Sequence, residues 1–101
     1  MYTESEVLDF VQEEDVKFIR LAFFDVHGNQ RNISIMASQL DRAFNDGISF
    51  DASAVGFEDA SKSDLFLHPD PSTLSILPWR PSTGKVVRMF CEIRNADGTP
   101  F

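Results

Sequence analysis

Lys17-Phe18-Ile19-Arg20-Leu21-Ala22-Phe23-Phe24-Asp25-Val26-His27-Gly28-Asn29-Gln30-Arg31-Asn32-Ile33-Ser34-Ile35 reads as two extended runs folded back on each other. In the first, Ile19, Leu21 and Phe23 alternate with Arg20 and Ala22, and β-branched or aromatic residues stay dense through Val26, which predicts a strand. His27-Gly28-Asn29 is turn chemistry, with Gly28 able to take the positive φ that the reversal needs. Ile33 and Ile35 then alternate with Asn32 and Ser34, so the second run pairs antiparallel with the first.

Upstream, Thr3 followed by Glu6 matches a capping box, and Val7, Phe10 and Val11 recur at helical spacing, predicting a helix over residues 4–14. Downstream, Ser38 and Asp41 form a second box, Leu40, Ala43 and Phe44 make an apolar stripe, and Gly47 stands where a left-handed cap belongs. A helix over about 39–46 follows. Residues 50–63 are small and acidic without a sustained period, a loop long enough to suggest function. Leu65 and Leu67 begin a short strand, Pro69-Asp70-Pro71-Ser72 turns the chain into another at Leu74 and Ile76, and Val87, Met89, Cys91 and Ile93 share one face of a last strand. The order helix, strand, strand, helix, short strands predicts an α+β fold. Its simplest form is a β-grasp, a mixed sheet with one helix packed across it, here with an extra N-terminal helix. One covered face leaves the other face or an edge for a partner, and ten phenylalanines in 101 residues point the same way.

The formal charge of -7 repels a phosphate backbone or an anionic bilayer, so no nucleic-acid or membrane partner is expected. A single cysteine, Cys91, and the lack of a secretory signal suit a reducing cytoplasm. His27 and His68 stand some forty positions apart with no second ligand at metal spacing, so no metal site is expected. Cys91 reads as a small buried hydrophobe, and Arg20, Arg88 and Arg94 read as solvated or rim-paired charges. Gly84-Lys85 lacks the spaced glycines of a phosphate loop, so no nucleotide site is expected within these residues. Asp51 opens the long loop between an apolar residue and small ones, as a carboxylate presented to a ligand would, although a turn or cap role fits it too; Asp64 closes the loop.

Phe50-Asp51-Ala52-Ser53-Ala54-Val55-Gly56-Phe57, followed by Ser63-Asp64-Leu65-Phe66-Leu67-His68-Pro69-Asp70, resembles the F-D-G-S-S-I-x-G-F and E-S-D-M-x-L-x-P-D signature of type I glutamine synthetases. Val16 to Gly28 is similar to that family's V-K-x-I-R-L-x-F-x-D-x-x-G opening, and Ile76-Leu77-Pro78-Trp79 and Asn95 to Phe101 continue the correspondence. The resemblance implies an N-terminal helix (1–14) and an N-terminal β-grasp domain (15–101), inactive alone, whose catalytic C-terminal domain lies outside this chain. It implies partners too: that catalytic domain and the neighbouring subunits of a homo-oligomeric ring, a dodecamer in the family. Asp51 would then reach into a neighbour's active site to bind ammonium and assist its deprotonation, with Ser53, Gly56, Phe57 and Asp64 shaping the substrate loop. ATP and Mg2+ or Mn2+ would serve the full-length enzyme, held elsewhere. Without those partners the loop is expected to be mobile or differently packed. Ala52 and Ala54 depart from the family's Gly and Ser, so the amine stays open between ammonium and the organic amine of a γ-glutamyl-amine ligase. A second class of reading is a non-catalytic, ubiquitin-like interaction module.

Overall fold

A computed structural model describes residues 2–25, 27–50, 65–77 and 85–100. Helix α1 spans Glu4–Glu13 and starts as the spacing predicts: Thr3 Oγ1 accepts from the Glu6 amide at 3.2 Å, and Glu6 Oε1 accepts from the Thr3 amide at 3.1 Å. It ends one residue earlier than expected. Asp15 takes a φ of 52°, and the amides of Asp15 and Val16 donate back to the carbonyls of Gln12 and Val11, which closes the helix without a glycine.

Strands β1 (Phe18–Phe24) and β2 (Gln30–Met36) form the predicted antiparallel hairpin, with Ile19 opposite Ile35 and Leu21 opposite Ile33. Gly28 sits in its turn at φ 81°. The next helix differs from expectation at its start: a 3-10 turn, Ala37–Gln39, runs directly into α2, Leu40–Asp46. The Ser38–Asp41 box does not cap it. Instead the Gln39 side chain accepts from the Met36 amide at 2.9 Å, because Ser38 already lies inside the turn and the chain leaves extended geometry at Met36.

Strand β3, Ile48–Phe50, departs from the expectation of a loop beginning at Phe50. Three residues are too few to show a period, and they become a strand only by pairing with β4, Leu65–Pro69. A 3-10 turn, Pro71–Thr73, leads to β5, Ser75–Ile76, and β6 spans Val86–Arg94. The sheet order is β2-β1-β6-β4-β3, with β5 also on β6, and β1 and β6 run parallel at its centre. The mixed sheet is that of the expected α+β, β-grasp fold.

Both helices pack on one face. Val7 and Val11 of α1 and Leu40 and Ala43 of α2 close over Ile19, Leu21, Ile35, Val87 and Met89 in one buried cluster. The N-terminal helix therefore shares the sheet's core. A smaller cluster of Phe23, Leu65 and Leu67 lies beside it, under the β3–β4 end of the sheet.

Candidate active-site wall

The loop that carries the sequence signature is strung between β3 and β4, whose pairing puts Phe50 directly opposite Leu65. The chain thus leaves the sheet and returns to it at one place. Asp51, Ser53, Gly56, Phe57 and Asp64, together with the expected mobility of the loop, lie outside the described residues. What the structure shows is the stem. Phe50 packs its ring against buried Phe23 with centroids 5.2 Å apart and planes at 44°, a tilted contact that ties the last residue before Asp51 to the central strand β1. Leu65 and Leu67, both buried, anchor the returning strand in the same cluster.

At the far end of the stem, Gly47 takes φ 78° and faces the ring of His68; a Cβ there would stand 2.7 Å from Nε2. Two independent constraints therefore require glycine. Burial and then the Arg94 charge depress the proton affinity of His68 below its usual value, while Glu92 works against them. His68 shares its sheet face with Glu92 and Arg94, which pair at 3.2 Å, so Arg94 takes the rim-paired role expected for it. Cys91 is pushed up to about 12 by burial, which leaves it a thiol at neutral pH and matches its reading as a small hydrophobe.

Sequence reasoning passed over Asp25. Its carboxylate is buried at the hairpin turn and accepts from the amides of His27 and Asn29, both at 2.9 Å, and from Arg31 Nε at 3.1 Å. Burial works to raise its proton affinity, and the hydrogen bonds from Asn29, Arg31 and His27 together overcome that and lower it. Its signal was available: an aspartate just before a His-Gly-Asn turn is a turn-forming residue. His27 takes part through its backbone amide, as a turn residue would. No cluster of three His, Cys, Asp or Glu side chains able to hold a metal occurs among the described residues, and none of their helices is long and apolar enough to cross a membrane.

The family described as glutamine synthetase, β-grasp domain, matches residues 15–96. The chain belongs to the glutamine synthetase family. It is similar to the glutamine synthetase of Clostridium saccharobutylicum, 42% identical over 101 residues, 99% of this chain and 23% of that protein. Among solved structures it resembles a GmaS/ADP complex at 27% identity with a TM-score of 0.78, over 93% of this chain and 21% of that one. The Plasmodium falciparum glutamine synthetase shares its fold at 19% identity and a TM-score of 0.85, over 100% of this chain and 20% of the other. The chain thus spans less than a quarter of the length of these relatives.

Proposed function

We propose that the chain is the N-terminal domain of a glutamate–ammonia ligase and forms one wall of the active site of a neighbouring subunit in a ring, which the family's dodecamers exemplify. The observation that carries this reading is the 42% identity to a glutamine synthetase over 101 residues, a span that includes the Phe50-Asp51 loop. The β3–β4 stem supports it, since a reactive carboxylate needs rigid elements on both sides of its loop.

In the complete enzyme ATP activates the γ-carboxylate of glutamate as an acyl phosphate, and an amine displaces the phosphate. The part of this chain is the amine. Asp51 would attract ammonium by charge and accept its proton as the nucleophile forms, with Ser53, Gly56, Phe57 and Asp64 holding the loop. Ammonium has no carbon to be recognised by shape, so charge and hydrogen bonding must select it. A nucleotide and its metal would be held by the remainder of the protein. The ADP in the GmaS complex agrees with nucleotide use in this superfamily. One cysteine, partly buried and held as a thiol, suits a cytoplasmic enzyme.

The test is the complete protein, expressed through its natural stop codon and assayed for ATP- and glutamate-dependent ligation with ammonium and with organic amines. Asp51→Ala is expected to lower kcat/KM for ammonium at least tenfold, equivalent to about 1.4 kcal/mol. Turnover of organic amines alone would make it a γ-glutamyl-amine ligase, an alternative favoured by Ala52 and Ala54. No ligation of any amine would leave the interaction module.

A further inference from the structure

Strand β3 is three residues long and ends the sheet order, so among the described residues its ladder bonds go to β4 alone. A short edge strand opens locally more easily than a central one. Phe50 is its last residue and its last paired one, opposite Leu65, and the next residue in the chain is Asp51. Consecutive Cα atoms stand about 3.8 Å apart across a trans peptide, so whatever fixes Phe50 fixes the start of the signature loop. Backbone pairing at the end of a three-residue strand is a weak hold for that purpose.

Phe23 supplies a second hold. Strand β1 pairs with β6 only as far as Ala22 opposite Phe90, and β6 then goes on to pair with β4, from Cys91 opposite Pro69 to Arg94 opposite Phe66. Phe23, the next residue of β1, is buried in one cluster with Leu65 and Leu67 of β4, and Cys91 and Ile93 of β6 pack against that cluster. Its ring also meets the ring of Phe50, with centroids 5.2 Å apart and planes at 44°. One side chain therefore joins the residue at which the loop leaves the sheet to the residue at which it returns. That side chain stands on β1, which is paired on both sides through Ala22.

We propose that Phe23 is a positioning residue for Asp51: its ring fixes Phe50 and thereby sets where the carboxylate stands toward the amine. The inference rests on the role of Asp51 in the proposed function and adds to it a residue that lies nearly thirty positions outside the loop. It holds for ammonium and for an organic amine alike. A carboxylate that takes a proton must stand within hydrogen-bond reach of it, and a displacement of about 1 Å can lower a rate on the order of a hundredfold. Phe23 acts through Phe50 and not on the substrate. Leucine at position 23 would keep the site apolar and most of its volume filled while removing the tilted ring contact.

The experiment is steady-state ligation by the complete protein, with KM for the amine, glutamate and ATP measured separately in wild type, Phe23→Leu, Asp51→Ala and the two combined. Phe23→Leu is expected to lower kcat/KM for the amine at least about fivefold while KM for glutamate and ATP stays within about twofold of wild type. In the Asp51→Ala background the same change should alter kcat/KM by less than about twofold, because residues that act as one unit do not add. Phe50→Leu removes the other ring at the half-buried rim of the cluster, where folding is less at stake, and should reproduce both results. Ile19→Val, in the larger core, should lower the melting temperature and leave kcat/KM for the amine unchanged. Equal losses with and without Asp51, or a rise in all three KM values, would show that Phe23 serves stability alone and overturn the proposal. It is overturned too if both leucine variants keep wild-type kcat/KM where Asp51→Ala is harmful, an outcome that leaves the reading of Asp51 standing. Asp51→Ala without effect overturns that reading, and this proposal with it.

Discussion

On the helix-covered face of the sheet Ile19, Leu21, Val87 and Met89 have no exposed surface, while on the other face, one position away along the same strands, Phe18 and Phe24 are about half exposed. Both faces are rich in large apolar side chains, so hydrophobicity alone does not separate them. What separates them is cover: α1 and α2 close one face, while the other buries Ala22 but leaves Phe18, Phe24 and Met36 about half exposed. The fold is held by one set of alternate residues, and the other set is available for recognition. That division makes opposite predictions for neighbouring positions of β1.

The largest expected effect lies on the covered face. Leu21→Ala should cost about 3 kcal/mol, from lost burial and the cavity left beside Met89 and Ile33, which for a domain of this size lowers the melting temperature by well over ten degrees. A loss near zero would mean that this cluster does not hold the sheet. At the stem, Gly47→Ala should cost about 2 kcal/mol, since the new methyl meets the His68 ring and the backbone there has a positive φ. Adding His68→Ala should recover only the steric share; full recovery would show that the backbone conformation carries no strain.

His68 also gives the stem a pH dependence. Its folded-state proton affinity lies below the ordinary value of 6.5, so its contribution is fully present above that pH. It is lost as pH falls from 6.5 through the lowered folded value. Denaturation titrations from about pH 7.5 to 5 should therefore show a stability decline in wild type that His68→Gln reduces; identical slopes would place the titration elsewhere. The smallest effect belongs to the open face: Phe18→Ser should change the stability of the folded unit by no more than about 0.5 kcal/mol. A loss comparable to Leu21→Ala would show that this face is part of the core after all.

Much of this contrast was legible before any coordinates. The alternation of Ile19, Leu21 and Phe23, the Thr3–Glu6 box and the Val87-Met89 stripe each follow from local periodicity, and they sufficed for an α+β sheet with one covered face. The features missed are those set by distant pairing. Ile48–Phe50 is a strand because of Leu65–Leu67, the turn into α2 is capped by Gln39 because Met36 ends a strand, and Arg20 meets Arg88 only because β1 and β6 run parallel in that register. Asp51 was legible through the family signature and not through its physics, since a carboxylate between small residues serves a turn as readily as a substrate.

The central claim is that the open face is covered in the assembled protein, and two methionines report on it directly. Met36 lies on that face, 57% exposed, and Met89 lies in the core with no exposed surface. Peroxide oxidation of the assembled complete protein, followed by peptide mass spectrometry, compares them within one sample. The account predicts that Met36 is protected nearly as well as Met89. Oxidation of Met36 at the rate of an exposed methionine, with Met89 intact and the assembly preserved, would contradict it.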